Sequence, residues 1–277
     1  MKKILLKLSA AVLVAALIAT LAGCGTNLAL LTKVDAAVQK LNVANAYQTK
    51  MTTDMTIGGN ALGQNGDIEA SVSGNIIRSG EDYYMKLEIS GQAMGEDQTT
   101  EITAYIKDRY AYVDSGTGQY MKMESAQAMQ QFSTSRLALV TSAALKNAKF
   151  AVDEMQITVG GEAMSVDRVK ITMDPEKVKD FIREQFSSQI GSQLGENGAQ
   201  ALDILFAMME IDDFSYTLYL NGDDIARIET VMKLNFSLLG QGIDMDMSSK
   251  MDIIKVADSI EIQFPEFNDS NTVDALQ

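Results

Sequence analysis

The chain of 277 residues contains 37 acidic and 23 basic residues, so its formal net charge at neutral pH is −14. This charge disfavours binding to nucleic acid and direct docking on anionic lipid headgroups, because both carry charge of the same sign. The sequence has no histidine and a single cysteine, which removes the commonest metal ligand and general base and leaves no partner for an intramolecular disulfide.

The first 24 residues show the order of a bacterial export signal. Lysines within the first seven residues precede an uncharged apolar run from Leu8 to Ala22, and the run leads into Leu-Ala-Gly-Cys at residues 21–24. This ending resembles a lipobox, at which lipoprotein precursors are diacylated on the cysteine and cleaved just before it. The resemblance implies a signal peptide over residues 1–23 and a lipid-bearing Cys24, with a short tether over residues 24–27.

The predicted lipid on Cys24 makes the membrane the expected partner of the N-terminus and places the protein outside the cytoplasm. The alternative is an uncleaved transmembrane anchor. The apolar stretch from Leu8 to Gly23 is shorter than the roughly 20 residues that span a bilayer, which favours the cleaved signal peptide.

Two hydrophobic periods alternate along the rest of the chain and predict helices and strands. The spacing of a helix face predicts helices at 28–46, 126–149, 175–190 and 199–210. Alternation of apolar and polar residues predicts strands at 51–57, 68–76, 83–89, 101–107, 109–114, 120–123, 150–159, 165–173, 214–220, 228–238, 243–253 and 259–264. After Pro265 the chain is polar, and we expect a frayed tail over residues 266–277.

Two short motifs fix element ends more precisely. Asp174-Pro175-Glu176 has the residue types of a helix N-cap followed by the first two helical positions. Asn221-Gly222 between two alternating segments predicts a tight hairpin, because both residue types tolerate positive φ.

The predicted strands each have one apolar face, which indicates a large antiparallel sheet with a polar outer side and helices over its apolar side. This order of elements, with the lipobox and the hairpin style, resembles the LolA-like group of lipoprotein carriers, in particular its LppX- and LprG-like branch and uncharacterised lipoproteins of Gram-positive bacteria. The resemblance covers residues 28–265. It implies an α+β fold, an unclosed half-barrel with helices on the concave face of a curved sheet, and an apolar cavity for acyl chains at a Gram-positive cell surface.

Methionines are unusually frequent on the apolar strand positions. Methionine is flexible and polarizable, so it can line a cavity for alkyl chains, although it can equally fill a fixed core. The predicted ligand-lining residues are Met51, Met55, Met85, Leu87, Met232, Leu234, Phe236, Met245 and Met247.

The carboxylates do not form a recognisable catalytic or metal-binding motif. Pairs such as Asp223-Asp224 are adjacent, so on a strand they point to opposite faces and cannot act together as acid and base. Asp244, Asp246 and Asp252 share the polar side of one strand, where solubilising charge is the main expectation and weak calcium binding the alternative. We expect no enzyme, no cofactor and no metal site.

The sequence therefore predicts a membrane-anchored envelope lipoprotein that binds or carries a lipid or an acyl chain between sheet and helices. The alternative is an envelope sensor or protein-interaction module that uses the same sheet with a filled core. A continuous apolar cavity would distinguish the two.

Overall fold

The computed structural model describes residues 29–59, 68–93, 96–124, 148–180, 183, 206–238 and 241–274. The described strands are β1 (Ala46–Gly59), β2 (Ile68–Ser79), β3 (Asp82–Ala93), β4 (Glu96–Lys107), β5 (Tyr110–Asp114), β6 (Tyr120–Glu124), β7 (Lys149–Val159), β8 (Glu162–Thr172), β9 (Met209–Asn221), β10 (Asp224–Leu238), β11 (Gln241–Ala257) and β12 (Thr272–Asp274). The described helical segments are α1 at 29–42, α2 at 175–180, and a turn at 206–208.

All twelve strands form one sheet in the order β12-β6-β5-β4-β3-β2-β1-β11-β10-β9-β8-β7. Every neighbouring pair is antiparallel except β12 and β6, which are parallel. The terminal strands β12 and β7 are not hydrogen-bonded to each other, so the curved sheet stays open. The predicted fold class, an unclosed half-barrel of mainly antiparallel strands, is confirmed.

The two faces of the sheet follow from the alternation of side chains along β1. Tyr47 and Met51 point to the side on which α1 packs, and we call this the inner face. On α1, the buried residues Val34, Ala37, Val38 and Leu41 belong to the same hydrophobic cluster. Lys50 and Asp54 alternate with the inner residues and lie on the opposite, outer face.

Helix α1 is held to one end of the sheet by charge as well as by apolar contact. Lys33 Nζ lies 2.8 Å from Asp167 Oδ2 on β8, and Lys40 Nζ lies 2.6 Å from Asp224 Oδ1 at the start of β10. The second pair is more than half exposed, so it orients the helix more than it stabilises the fold. The helix ends at residue 42, four residues earlier than predicted, because Ala46 already begins β1.

The other predicted helices are partly described. The N-cap at Asp174 is confirmed, because its Oδ1 accepts a hydrogen bond from the backbone N–H of Glu176 at 3.0 Å. The prediction that a helix continues to residue 210 is wrong, since Met209 and Glu210 already pair in β9. Lys149 likewise belongs to β7 and not to the preceding helix. Residues 125–147 and 184–205 lie outside the described residues, as do residues 1–28 with Cys24.

The predictions for the C-terminal segment are wrong in two respects. Residues 259–264 form no strand, and the expected frayed tail contains β12, whose Thr272 pairs with Tyr120 of β6. The segment crosses the ends of β1 and β2, where Asn45 Nδ2 donates to the carbonyl of Asp258 at 2.6 Å. Within it, Phe264 packs against Tyr105 of β4 instead of belonging to a strand. We call residues 258–274 the strap.

The outer face is less polar than predicted, because it carries two apolar clusters. The tyrosine cluster lies under the strap and comprises Tyr84, Tyr105, Tyr112, Tyr120, Phe264 and Phe267. The hairpin cluster joins the β7–β8 turn to the back of β9–β11 and comprises Ile157, Val159, Val166, Tyr219 and Ala226, with Met155, Met164 and Ile254 packed against it. Both clusters are covered by a returning part of the chain.

Candidate functional site

The inner face has a closed end and an open end, and β1 runs from one to the other. Tyr47 and Thr49 at the start of β1 are buried, whereas Met51, Met55 and Ile57 farther along the strand are partly exposed. Neighbouring strands show the same gradient. Buried residues of the closed end are Ile76, Met85, Ala104, Ile106, Leu218, Leu220, Ile228 and Ile253.

The open end is an apolar surface that the described chain leaves partly exposed, and we call it the trough. Its residues lie on β1, β2, β3, β10 and β11. They are Met51, Met55, Ile57, Val72, Leu87, Ile89, Met232, Phe236, Ile243, Met245 and Met247. On β9 the matching positions, such as Phe214 and Ile211, are buried and bound the trough on that side.

The strand register brings the predicted methionines together. Met55 of β1 lies opposite Met247 of β11, which in turn lies opposite Met232 of β10. One row farther along, Ile57, Met245 and Leu234 are aligned in the same way. Directly opposed side chains lie about 5 Å apart at Cβ, so each row is a continuous band of thioether and alkyl groups.

The predicted lining residues divide into exposed and buried members. All of them except Met85 and Leu234 are partly exposed in the trough. Met85 and Leu234 are 6% and 7% exposed, respectively, and belong to the packed core that adjoins the trough on the same face. Their geometry is thus described, and a role in binding a ligand stays a prediction for all nine.

Strand β2 lies unusually close to β3 at Gly74, beside the trough. A Cβ atom at this position would lie 2.2 Å from the backbone oxygen of Lys86 and 2.6 Å from the side chain of Leu87. No side chain fits at such distances, so only glycine permits β2 to approach β3 this closely. The missing side chain lies on the inner face, directly opposite Met51.

A row of hydroxyl side chains crosses the inner face between two methionine rows, and the sequence analysis missed it. Thr53, Ser249, Thr230 and Tyr216 are successive cross-strand partners on β1, β11, β10 and β9. We call them the hydroxyl row. The available signal was a hydroxyl residue within the apolar alternation of each strand, such as Ser249 between Met247 and Met251.

Exposure decreases along the hydroxyl row. Thr53 and Ser249 are partly exposed, Thr230 is 7% exposed and Tyr216 is 1% exposed. The Tyr216 hydroxyl is buried, and no group in the described part of the chain forms a hydrogen bond with it. Burial raises the pKa of its phenol, so the group remains a protonated donor at neutral pH.

The three aspartates of β11 singled out in the sequence lie on the outer face and have partners there. Asp246 Oδ2 lies 3.4 Å from Lys233 Nζ, and Asp244 accepts a hydrogen bond from Asn235 Nδ2 at 2.6 Å. Asp252 is paired with Arg227. Among the described residues, no group of three or more His, Cys, Asp or Glu side chains is placed to hold a metal ion.

The outer face also contains a polar groove of about 640 Å³ near the ends of β1–β4. Its lining includes the carboxylates of Asp54, Glu69 and Asp97, and the hydroxyls of Ser71 and Ser90, which lie 2.8 Å apart. This lining suits water or polar groups, and an apolar ligand would gain little there. The groove is therefore distinct in chemistry from the trough.

Of the helices in the described part of the chain, none has the length and apolar character needed to cross a bilayer.

Comparisons with known proteins give weak structural likenesses and one family. The solved structure of LprF from Mycobacterium bovis is 9% identical, with 85% of this chain and 95% of that chain covered at a TM-score of 0.32. A beta-barrel-like protein of DUF1849 from Brucella abortus is 8% identical, with 77% and 100% covered at 0.23. A DUF1329 family protein from Desulfovibrio piger is 10% identical, with 80% and 90% covered at 0.20. No curated protein matches the sequence. The model of DUF6612, a family of unknown function, matches residues 26–267, and the chain therefore belongs to the DUF6612 family.

Proposed function

We propose that this protein is a cell-envelope lipoprotein, anchored through Cys24, whose trough binds a hydrophobic ligand such as a lipid or an acyl chain. The role is binding or carriage, with no catalytic step. The observation that carries the proposal is the trough itself, a contiguous set of apolar side chains that remains partly exposed while the closed end of the inner face is buried.

An apolar surface of this kind is costly to leave in water and is typical of a binding site. Soluble domains rarely expose large contiguous apolar patches, and burial of an alkyl chain on such a patch is favourable by about 0.8 kcal/mol for each CH₂ group. The methionines of the row Met55–Met247–Met232 can change rotamer at little cost. The trough therefore suits flexible chains of varying shape.

The predicted anchor supports a lipid ligand because it keeps the trough near a lipid source. Cys24 and the start of the described part of α1, residue 29, are five residues apart, which is a span of at most about 18 Å. A domain on such a tether stays beside the membrane to which it is fixed. A module that reaches distant partners would gain from a long flexible linker instead.

The test is lipid loading of the chain that carries Cys24→Ala and can be handled without membrane. The protein is incubated with vesicles of bacterial lipid, separated from them, and its bound lipid is measured by native mass spectrometry. We expect a stoichiometric lipid adduct, and Met247→Gln in the trough should weaken it. The matched control is Met164→Gln, a partly exposed methionine of the outer-face hairpin cluster, which should load like the parent. A clean apo mass for the parent would favour the sensor or interaction module.

The anchor is tested separately. Replacement of Cys24 by Ala removes the predicted acylation site, and each lost acyl CH₂ contributes about 0.8 kcal/mol to membrane attachment. We expect the variant to leave the membrane pellet for the soluble fraction. If it still sediments with membranes after a carbonate wash, the lipobox interpretation fails and an uncleaved span has to be considered.

A further inference from the structure

The hydroxyl row lies between two apolar rows of the inner face. On β1, Thr53 lies between Met51 and Met55, and residues two positions apart on one face of a strand are separated by about 7 Å. The neighbouring rows continue through Met251 on one side and Met247 on the other. A ligand in the trough therefore meets an apolar band, a polar band and a second apolar band in succession.

The row has hydrogen-bonding capacity that the described chain does not use. Thr53 Oγ1 donates to Ser249 Oγ at 3.0 Å, so the hydroxyl proton of Ser249 remains for another acceptor. The Tyr216 hydroxyl has no hydrogen-bond partner among the described residues. A buried donor without a partner is unfavourable, and a ligand oxygen at this position would relieve that penalty.

The polar group that fits this row is uncharged. The inner-face positions of the Thr53, Met55 and Ile57 rows carry no lysine or arginine among the residues that the structure describes. A carboxylate or a phosphate in the trough would lose its hydration without gaining a cation, which is strongly unfavourable. A neutral oxygen acceptor would accept hydrogen bonds from the row without that loss.

We infer that the trough binds an acyl ester and that the hydroxyl row donates hydrogen bonds to the ester oxygens. This inference rests on the proposed function and names its ligand class. An ester places a neutral acceptor between two alkyl parts, which matches the order of apolar, polar and apolar bands. A hydrocarbon has no acceptor, and a free fatty acid carries a charge at the end of its chain.

The position of the ester follows from the exposure gradient along the row. Thr53 and Ser249 are open to the trough, and Thr230 lies next along the row at 7% exposure. These side chains meet the ester first, and Tyr216 closes the buried end of the row as a donor from which water is excluded. A hydrogen bond is electrostatically stronger in such an environment than in water.

The experiment compares three lipids of equal chain length on the full chain with Cys24→Ala. A diacylglycerol, its dialkyl ether analogue and the free fatty acid are each delivered from cyclodextrin, and binding is titrated by native mass spectrometry. We expect the ester to bind roughly three- to tenfold more tightly than the ether, the effect of about one neutral hydrogen bond. Thr230→Val and Tyr216→Phe should each bring the ratio of ester to ether affinity close to one and leave the ether affinity unchanged. The matched control is Thr52→Val, because Thr52 is next to Thr53 in sequence and lies on the outer face.

A second readout separates ligand recognition from a structural role. Tyr216→Phe removes a buried hydroxyl that no described residue hydrogen-bonds, so the thermal midpoint of the empty protein should rise or stay constant while the preference for the ester disappears. A purely structural Tyr216 would alter the midpoint without changing the ratio of ester to ether affinity.

The outcomes distinguish this inference from the proposed function. Equal binding of ester and ether by the parent would overturn the inference and leave lipid binding intact. Tightest binding of the fatty acid would overturn it as well, because the row would then accept a charge. Failure of all three lipids to bind would overturn the proposed function together with the inference.

Discussion

The apolar clusters of the outer face and the trough of the inner face differ in what covers them. The tyrosine cluster is covered by the strap, where Phe267 stacks on Tyr112 with ring centroids 3.7 Å apart. The hairpin cluster is fastened by Arg227, whose Nη2 donates to the carbonyl of Thr158 at 2.8 Å and whose Nε is bonded to Asp252. Neither kind of cover extends over the methionines of the trough, which stay partly exposed.

This difference separates apolar surface that stabilises the fold from apolar surface that remains available. A side chain in a covered cluster is buried by folding and stabilises the fold. A trough side chain stays partly exposed after folding, so its remaining apolar area can be buried when a ligand binds and then stabilises the complex. Substitutions in covered positions should therefore change stability more than binding. Substitutions in the trough should do the reverse.

The largest expected effect compares the two faces at adjacent residues of β10. Leu234 is 7% exposed on the inner face, and Leu234→Asp would bury an unpaired charge, so we expect a loss of about 4 kcal/mol or more and an unfolded protein. Lys233 is exposed beside Asp246, and Lys233→Asp should lose less than about 1 kcal/mol. Thermal denaturation measures both. Equal shifts of the two midpoints would mean that the inner and outer assignments on β10 are wrong.

The next prediction compares the two ends of the inner face. Leu218 at the closed end is fully buried, so Leu218→Ala should lower the free energy of unfolding by about 2–5 kcal/mol and leave lipid loading per folded molecule unchanged. Met247→Ala in the trough removes a partly exposed side chain and should cost less than about 1.5 kcal/mol while weakening loading. Urea titrations with an unchanged slope supply the free energies. If Met247→Ala proves as destabilising as Leu218→Ala, the trough is a filled core.

The strands were predictable because their pattern is local. Alternation in β1, β10 and β11 places apolar residues on one face whatever the rest of the chain does, and the structure confirms each of these strands over the predicted range. The difference between Met85 and Met247 was not predictable. Both occupy apolar strand positions with polar neighbours, and only the packing of distant elements buries the first and exposes the second.

The strap shows the same limit at the C-terminus. Residues 259–264 alternate like a strand, but they form none, and Phe264 instead packs against Tyr105 of the tyrosine cluster. A signal was present in the sequence, since Tyr84, Tyr105 and Tyr112 alternate with the apolar residues that face inward on their strands. Aromatic residues at outward positions of adjacent strands indicate a surface that another segment covers.

We expect the strap to contribute to the stability of the fold and not to ligand binding. Phe267→Ala removes the stacked contact with Tyr112 and edge contacts with Tyr105 and Tyr120, so we expect a loss of about 2 kcal/mol by denaturant titration. Lipid loading should not change, because the tyrosine cluster lies on the outer face. Val273→Ala provides the control, since Val273 belongs to the same segment and is 48% exposed. A Phe267→Ala protein of normal stability with impaired loading would place the ligand under the strap.

The smallest expected effect is a pH dependence confined to the hairpin cluster. Burial, with a hydrogen bond from the Tyr219 hydroxyl to Glu229 Oε2 at 2.6 Å, raises the pKa of Tyr219 to about 12. The unfolded tyrosine titrates near pH 10. The stabilisation that protonated Tyr219 gives the folded state is therefore fully present below pH 10 and is lost as the pH rises toward 12. The loss should reach about 1 kcal/mol near pH 11. Tyr219→Phe should flatten this part of the stability curve, whereas Tyr110→Phe, at a residue 39% exposed, should leave it unchanged. Lipid loading per folded molecule should be constant across the same range, because Tyr219 lies on the covered outer face. A fall in loading that follows the Tyr219 titration would show that the hairpin cluster and the trough are coupled.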